Sequence, residues 1–168
     1  MSSRSYSTPE KDSAFINVLA DSHGKMEQTN IKIVPSKTAI EKIINFCIKH
    51  NLPYEDFLKD PHCTIAYSKE VLTPVRMIEQ PNFKFIRVKG AYVDTIQTDD
   101  DGKVAVIKFE SNALEQANAF YRREYFLTSK YAYSPHITLQ KNLSDLLPNY
   151  PKLDFDFILD RIVMDNCK

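Results

Sequence analysis

The 168-residue chain carries 22 Lys and Arg against 22 Asp and Glu, so its formal net charge is zero, and 43% of its residues are hydrophobic. This balance argues against a broad basic face of the kind that binds long duplex nucleic acid, while it permits a small nucleotide in a local pocket. The length suits one domain with a substantial core. We assign that domain to residues 13–168, after a flexible Ser-rich tail over residues 1–12.

Cysteine usage and hydropathy indicate a reduced, cytoplasmic compartment. The three cysteines (Cys47, Cys63 and Cys167) are odd in number and match no metal-ligand spacing. No apolar run is long enough to span a membrane, and the N-terminus lacks the apolar core of a signal peptide. The sequence therefore predicts a cytoplasmic protein with no membrane contact and no evident need for a protein partner.

The first half of the chain predicts two strands, a helix and a third strand. Residues 15–20 are an apolar run typical of a buried strand, and residues 31–34 form a second extended segment. Ser36 is a typical N-cap, and apolar residues at helical spacing follow it until residues 51–53 end the helix. A polar connector leads to a strand at residues 63–67.

A hairpin is predicted next. Residues 83–95 alternate between apolar and polar side chains and predict one long strand, and residues 104–110 predict its return strand. Between them, residues 99–102 read Asp-Asp-Asp-Gly, a strong turn signal. Three acidic residues also permit a cation site, but no calcium-loop spacing follows them, so we interpret them as solvated turn residues.

The second half repeats the plan of the first. Ser111 begins a helix, and strands are predicted at residues 136–140 and 155–164. A histidine follows the capping serine after 26 residues in the first half (His62) and after 25 in the second (His136). We infer an internal pseudo-symmetry that brings the two equivalent strands together in one sheet.

Both histidines lie in a Pro-His-x-Thr-aliphatic motif, at residues 61–65 and 135–139. Alternate side chains of a strand face the same way, so each His shares a face with the Thr two positions on. If the two strands are neighbours, then two imidazoles and two hydroxyls converge.

This quartet suits the cleavage of a phosphodiester. Imidazole titrates near neutrality, so one ring can take a proton from the attacking oxygen while the other protonates the leaving oxygen. The hydroxyls of Thr64 and Thr138 can donate to the phosphoryl oxygens. The sequence contains no cluster with metal-ligand spacing, so we expect no metal and no other cofactor.

The sequence HCTI at residues 62–65 and HITL at residues 136–139 resemble the paired motifs of the two-histidine (2H) phosphoesterases. The resemblance covers roughly residues 13–166 and implies an α+β, bilobal fold. In this fold two antiparallel sheets flank a cleft, the helices lie outside, and the halves are related by a pseudo-two-fold repeat. It also implies His62 and His136 as the catalytic residues.

Within that superfamily the chain looks most like the phage anti-CBASS cyclic-nucleotide nucleases, by its length, its FINVLADSHGK segment and its motif spacing. This resemblance implies a metal-independent phosphodiesterase that cuts the 3′–5′ linkages of cyclic di- and trinucleotide messengers such as 3′,3′-cGAMP. Such an enzyme counteracts CBASS signalling in the cytoplasm of an infected bacterium.

Candidates for contacts with the bases and with a second phosphate are less specific. Tyr92, Tyr131 and Tyr133 are placed to stack on a nucleobase. Cationic candidates for a second phosphate are Lys25, Lys141 and Arg161.

Two alternatives remain, and a third is excluded. The chain is also compatible with a 2′,3′-cyclic or 2′,5′-phosphodiesterase that acts on RNA ends or oligoadenylates. A binding module that sequesters a nucleotide is a second alternative, although a pure binder does not need both an acid and a base. A histidine-triad hydrolase is excluded, because that family needs several histidines in one strand and this strand has only His136.

Overall fold

The structure is a computed structural model that describes residues 28–68, 77–125 and 132–167. The expected tail at residues 1–12, the expected strand at residues 15–20, and the candidates Lys25 and Tyr131 lie outside these residues.

Seven strands and three helices make up the described chain. In chain order they are β1 (Gln28–Pro35), α1 (Lys37–Lys49), α2 (Glu55–Lys59), β2 (Cys63–Ser68), β3 (Ile86–Val88), β4 (Tyr92–Thr98), β5 (Gly102–Lys108), α3 (Asn112–Tyr125), β6 (His136–Gln140) and β7 (Phe157–Cys167).

The strands form one antiparallel sheet in the order β3-β7-β1-β2-β6-β5-β4. A single residue pair, Cys63 with Ile137, joins β2 to β6. The sheet therefore consists of a four-stranded half and a three-stranded half that meet at the two motif strands. The predicted α+β fold class is confirmed, and the expected pair of sheets corresponds to these two halves.

The two long helices, α1 and α3, begin where the sequence predicts, whereas α2 was not predicted and lies in the expected polar connector. The Ser36 hydroxyl accepts a hydrogen bond from the Ala39 N–H at 3.1 Å, and the Ser111 hydroxyl accepts one from the Leu114 N–H at 3.2 Å. Such caps satisfy backbone donors that the first helical turn leaves open, and each stabilises its helix by about 1 kcal/mol. The matching caps support the inferred internal pseudo-symmetry of the two halves.

The prediction of a single strand at residues 83–95 is wrong. The chain forms two short strands there, β3 and β4, and they lie at opposite edges of the sheet. Gly90, between them, has φ +64°, a left-handed conformation that ends an extended run. The alternation that suggested one strand is broken as well, because Phe85 is exposed.

The turn predicted at residues 99–102 is confirmed. β4 and β5 pair from Tyr92 with Lys108 to Thr98 with Gly102, and Gly102 takes φ +65°. The Thr98 hydroxyl accepts the Asp101 N–H at 2.9 Å, which closes the turn.

One apolar row crosses six strands and forms the centre of the core face. Direct pairings across the sheet connect its members, which are Ile162, Ile33, Cys63, Ile137, Ile107 and Val93. Five of the six are buried and Ile162 packs against them. The residues one position before and after each member must therefore project from the opposite face of the sheet.

Candidate functional site

Two rows of side chains flank the apolar row and define what we name the histidine face. The strand pairings place the first row in the order Val163, Lys32, Thr64, His136, Lys108 and Tyr92. Extension of the same register by one residue beyond Cys63 places the second row in the order Arg161, Val34, His62, Thr138, Val106 and Asp94. All four polar motif residues thus lie on one face, as the sequence predicts.

The two motifs are crossed. Because β2 and β6 are antiparallel and Cys63 pairs with Ile137, the register places His62 opposite Thr138 and Thr64 opposite His136. Each imidazole therefore neighbours the hydroxyl of the other motif across the strands. A group bound over the Cys63–Ile137 pair meets an imidazole and a hydroxyl from each side.

Each motif strand carries a β-bulge at the aliphatic residue after the threonine. On β2, Ala66 pairs with Ile31 and Thr64 with Lys32, so Ile65 is the extra residue. On β6, the residues on either side of Leu139 pair with consecutive residues of β5 in the same way. Both bulged residues are fully buried. Each bulge bends its strand directly after the site, as β-bulges near active sites commonly do.

The bulge carbonyl of β2 has a specific partner. The side-chain amide of Asn118, on α3, donates to the Ile65 carbonyl at 2.8 Å. Asn118 is itself buried, and α3 belongs to the other half of the repeat. This hydrogen bond therefore anchors the first motif strand to the second half of the molecule.

Both histidine rings are oriented by the same local hydrogen bond. Nδ1 of His62 donates to the Asp60 carbonyl at 2.8 Å, and Nδ1 of His136 donates to the Ser134 carbonyl at 2.9 Å. A carbonyl only accepts, so Nδ1 carries the proton in both rings and Nε2 is left for chemistry. The proline between each histidine and its acceptor restricts the backbone of the preceding residue to an extended conformation.

The surroundings of His62 are acidic. The Asp60 carboxylate lies 3.3 Å from Nδ1 of His62, in addition to the carbonyl contact. Lys32 is 3.2 Å from the same carboxylate and 3.9 Å from Asp165, so a chain of alternating charges runs along this side of the site.

The surroundings of His136 differ. Burial lowers its pKa below the ordinary value, and the positive charge of Lys108 and the neighbouring His62 ring lower it further; the hydrogen bond to Ser134 opposes these effects. Lys108 is paired directly with His136 across β5 and β6. At neutral pH, His136 is therefore held in its neutral form, which accepts a proton.

Tyr133, predicted as a stacking residue, has a structural position. Its hydroxyl donates to the Thr64 carbonyl at 2.8 Å, and its ring packs against the core. Burial raises the pKa of this hydroxyl above its usual range. The adjacent Cys63 thiol is also fully buried, which raises its pKa to about 12, so it remains a packed thiol. These contacts show that Tyr133 supports β2, and its stacking on a base stays a prediction.

The structure places the other candidates at different distances from the motifs. Tyr92 lies on the histidine face, two strands from His136, and its residue is 43% exposed. Arg161 ends the second row. Lys141 follows β6 and pairs with Asp101 at 3.8 Å, so it belongs to the hairpin end of the molecule.

Two lysines of the first row were missed by the sequence analysis. Lys32 and Lys108 flank the Thr64–His136 pair on either side. Strand alternation alone gives the face of each lysine, but their neighbours depend on strand order and register, which no local pattern encodes.

Two features are absent from the part of the chain that the structure describes. No helix there is long and apolar enough to cross a membrane. No group of three or more His, Cys, Asp or Glu side chains is arranged there to hold a metal ion.

Several solved structures share this fold. A structure described as a phosphoesterase aligns with a TM-score of 0.58 and 17% identity, over 86% of this chain and 97% of that chain. LigT of E. coli in complex with phosphate aligns with a TM-score of 0.55 and 19% identity, over 86% and 96%. LigT in complex with 3′-AMP gives 0.56 and 18% over the same shares. A search of curated proteins found no match.

A family model gives the more specific result. The model described as anti-CBASS protein Acb1 matches residues 28–163, which contain both motifs and nearly the whole sheet. The fold of the 2H phosphoesterases and this match make the protein a phosphodiesterase, and the chain belongs to the anti-CBASS protein Acb1 family.

Proposed function

We propose that this protein cleaves the 3′–5′ linkages of cyclic di- and trinucleotide second messengers, such as 3′,3′-cGAMP, and so counteracts CBASS signalling in the cytoplasm of an infected bacterium. The crossed placement of His62, Thr64, His136 and Thr138 on one face of the sheet carries this proposal. Membership of the anti-CBASS family supports the substrate class.

His136 is the proton acceptor in the first step. Its lowered pKa keeps Nε2 unprotonated near neutrality, and the hydrogen bond to Ser134 directs that nitrogen away from the backbone. Nε2 removes the proton of the ribose 2′-hydroxyl, and the 2′ oxygen forms a bond to phosphorus.

His62 is the proton donor. As the new bond forms, the bond between phosphorus and the 5′ oxygen breaks, and Nε2 of cationic His62 gives its proton to that oxygen. The products are a linear chain with a 5′-hydroxyl and a 2′,3′-cyclic phosphate. The Asp60 carboxylate lies 3.3 Å from Nδ1 of the same ring, on the side away from the reacting Nε2.

Thr64 and Thr138 hold the phosphoryl group. The register sets each hydroxyl beside the histidine of the other strand, so both can donate to non-bridging oxygens while the imidazoles act on the attacking and leaving oxygens. Tyr92, exposed on the same face, is the nearest candidate for stacking on a base.

The test uses purified protein in excess EDTA with 3′,3′-cGAMP and a linear 2′,5′-oligoadenylate in parallel, and the products are separated by chromatography. We expect the cyclic dinucleotide to be opened and its 2′-deoxy analogue to resist, because the analogue lacks the attacking oxygen. Cleavage of the oligoadenylate alone would move the protein to the RNA-processing alternative. Binding of the cyclic dinucleotide without product would favour the sequestering module.

A further inference from the structure

Beyond His136, the first row continues with Lys108 and then Tyr92. Lys108 pairs with His136 on one side and with Tyr92 on the other. Neighbouring strands lie about 4.8 Å apart, so Lys108 is one strand and Tyr92 two strands, about 10 Å, from the reacting histidine. If the reacting phosphate lies at the two motifs, the next nucleotide of the substrate is long enough to reach from His136 to Tyr92.

Lys108 is positioned over the sheet and retains donors. Its ammonium group is 3.3 Å from the Asp94 carboxylate, and its side chain is 25% exposed. Asp94 belongs to the second row of the same face, so the ion pair holds the ammonium above the sheet. An ammonium group has three N–H donors, and the Asp94 contact occupies one of them.

The lysine on the other side of the motifs is differently placed. Lys32 contacts two carboxylates, those of Asp60 and Asp165, and its side chain is only 13% exposed. Its charge is therefore compensated within the protein. Lys108 contacts one carboxylate, that of Asp94, and is more exposed, so of these two row lysines it is the one with more N–H donors open to a ligand.

Tyr92 completes the arrangement. It lies on β4, the last strand of the sheet, between Lys108 on one side and the bridged Lys152 on the other, and it is 43% exposed. An exposed aromatic ring next to a cation is the combination with which proteins bind a base and its phosphate at once.

We propose that Lys108 and Tyr92 form a subsite for the second nucleotide of the substrate, in which Lys108 binds a phosphodiester that does not react. The inference rests on the proposed function. It adds the orientation of the substrate, because the part of the cyclic dinucleotide that does not react would lie over β5 and β4. It also gives a reason for selecting oligonucleotide rings over ligands with one phosphate.

The experiment compares two ligands that cannot be cleaved by 2′-hydroxyl attack, a 2′-deoxy cyclic dinucleotide and a 2′-deoxy 3′,5′-cyclic mononucleotide. Binding is measured by calorimetry at pH 8, where His136 is neutral, for the wild type, Lys108→Met and Lys108→Arg. Lys103→Met is the matched control, because Lys103 lies on the same strand but projects from the other face.

We expect Lys108→Met to weaken the dinucleotide about tenfold and to leave the mononucleotide within about twofold, because only the former has a second phosphate. In Lys108→Met, the salt dependence of dinucleotide binding should decrease by the contribution of about one phosphate contact. Lys108→Arg keeps the positive charge and should retain most of the affinity. Lys103→Met should bind both ligands as the wild type does.

Equal weakening of both ligands would overturn the subsite, because Lys108 would then act at the reacting phosphate. Unchanged dinucleotide binding in Lys108→Met would also overturn it while leaving the proposed function intact. If the wild type neither binds the dinucleotide analogue nor opens 3′,3′-cGAMP, both the proposed function and the subsite are wrong.

Discussion

Among the described residues, Cys63 and Ile137 form the one strand pair that joins the two halves of the sheet, and both side chains are fully buried. Because they occupy the middle position of each His-x-Thr motif, their contact fixes the positions of the four polar side chains on the opposite face. A slip of one residue would turn one motif toward the core. The apolar packing of this pair is thus the physical origin of the crossed quartet.

The first prediction concerns the two histidines. His62→Ala and His136→Ala should each lower kcat by about 10²–10⁴-fold, because each removes one of the two proton-transfer groups. The control is His50→Ala, whose ring packs against Phe46 at the end of α1, 4.4 Å between centroids. Rates are measured on 3′,3′-cGAMP, with circular dichroism to verify folding. A folded His62→Ala or His136→Ala variant that retains wild-type turnover would remove that histidine from the mechanism.

Local signals of the sequence predicted the elements that build the site. The serine caps, the helical spacing after them, and the alternation of the motifs act over a few residues, so they can be read without knowledge of the fold. The repeat of plan then correctly predicted that the motif strands are neighbours.

Long-range features were not predictable in the same way. Gly90 separates two strands that end at opposite edges, and the local alternation of residues 83–95 gives no sign of this. The bulges at Ile65 and Leu139 depend on the pairing of each strand with its outer neighbour. Lys108 became a candidate only when strand order placed it beside His136. In each case tertiary packing determines the outcome.

The threonines provide the second prediction. Thr64→Ala and Thr138→Ala should each reduce kcat/KM by about 10- to 100-fold, because a hydrogen bond to the charged phosphoryl group is lost. Thr64→Ser and Thr138→Ser are the matched controls and should keep most of the activity, since the hydroxyl remains. Equal loss in the Ser and Ala variants would indicate a packing role for the methyl group instead.

The third prediction concerns pH. Burial lowers the pKa of His136, the hydrogen bond to the Ser134 carbonyl opposes this, and the positive charge of Lys108 on β5 and the His62 ring beside β2 lower the pKa further. A lowered pKa means that the base form persists below the ordinary value of about 6.5 and is lost only at lower pH. The acid limb of kcat/KM should therefore lie below pH 6.5.

Removal of the Lys108 charge tests whether this lysine contributes to the lowered pKa of His136. Lys108→Met should move the acid limb to higher pH, because a repulsive positive charge next to the imidazolium form of His136 is gone. Lys103→Met, on the other face of β5, should leave the limb in place. A limb that moves to lower pH, or not at all, would show that Lys108 does not act on the ionisation of the base.

Stacking on Tyr92 is the fourth prediction. Tyr92→Ala should raise KM for 3′,3′-cGAMP about 10-fold, while Tyr92→Phe should stay close to the wild type, because stacking uses the ring and not the hydroxyl. Tyr150→Ala is a suitable control, since Tyr150 is similarly exposed but lies outside both rows of the histidine face. If Tyr92→Phe were as impaired as Tyr92→Ala, a hydrogen bond from the hydroxyl would replace stacking as its role.

The fifth prediction concerns the anchor between the halves. Asn118→Ala removes the amide that donates to the Ile65 carbonyl and leaves that carbonyl, at the bulge, without this partner. We expect the free energy of unfolding to fall by about 1–3 kcal/mol and Tm to fall by about 2–12 °C. Gln116→Ala, at an exposed position of the same helix, should change Tm little.

The Asn118 variant should also affect turnover, because the bulge lies one residue after Thr64. With the strand less firmly held, kcat at a temperature well below Tm should decrease while the pH dependence of kcat/KM keeps its shape, since neither His62 nor His136 changes its surroundings. Thermal unfolding and pH–rate profiles measure the two effects separately. A variant with unchanged Tm and unchanged kcat would show that the Asn118 hydrogen bond does not hold β2 in register with the second half.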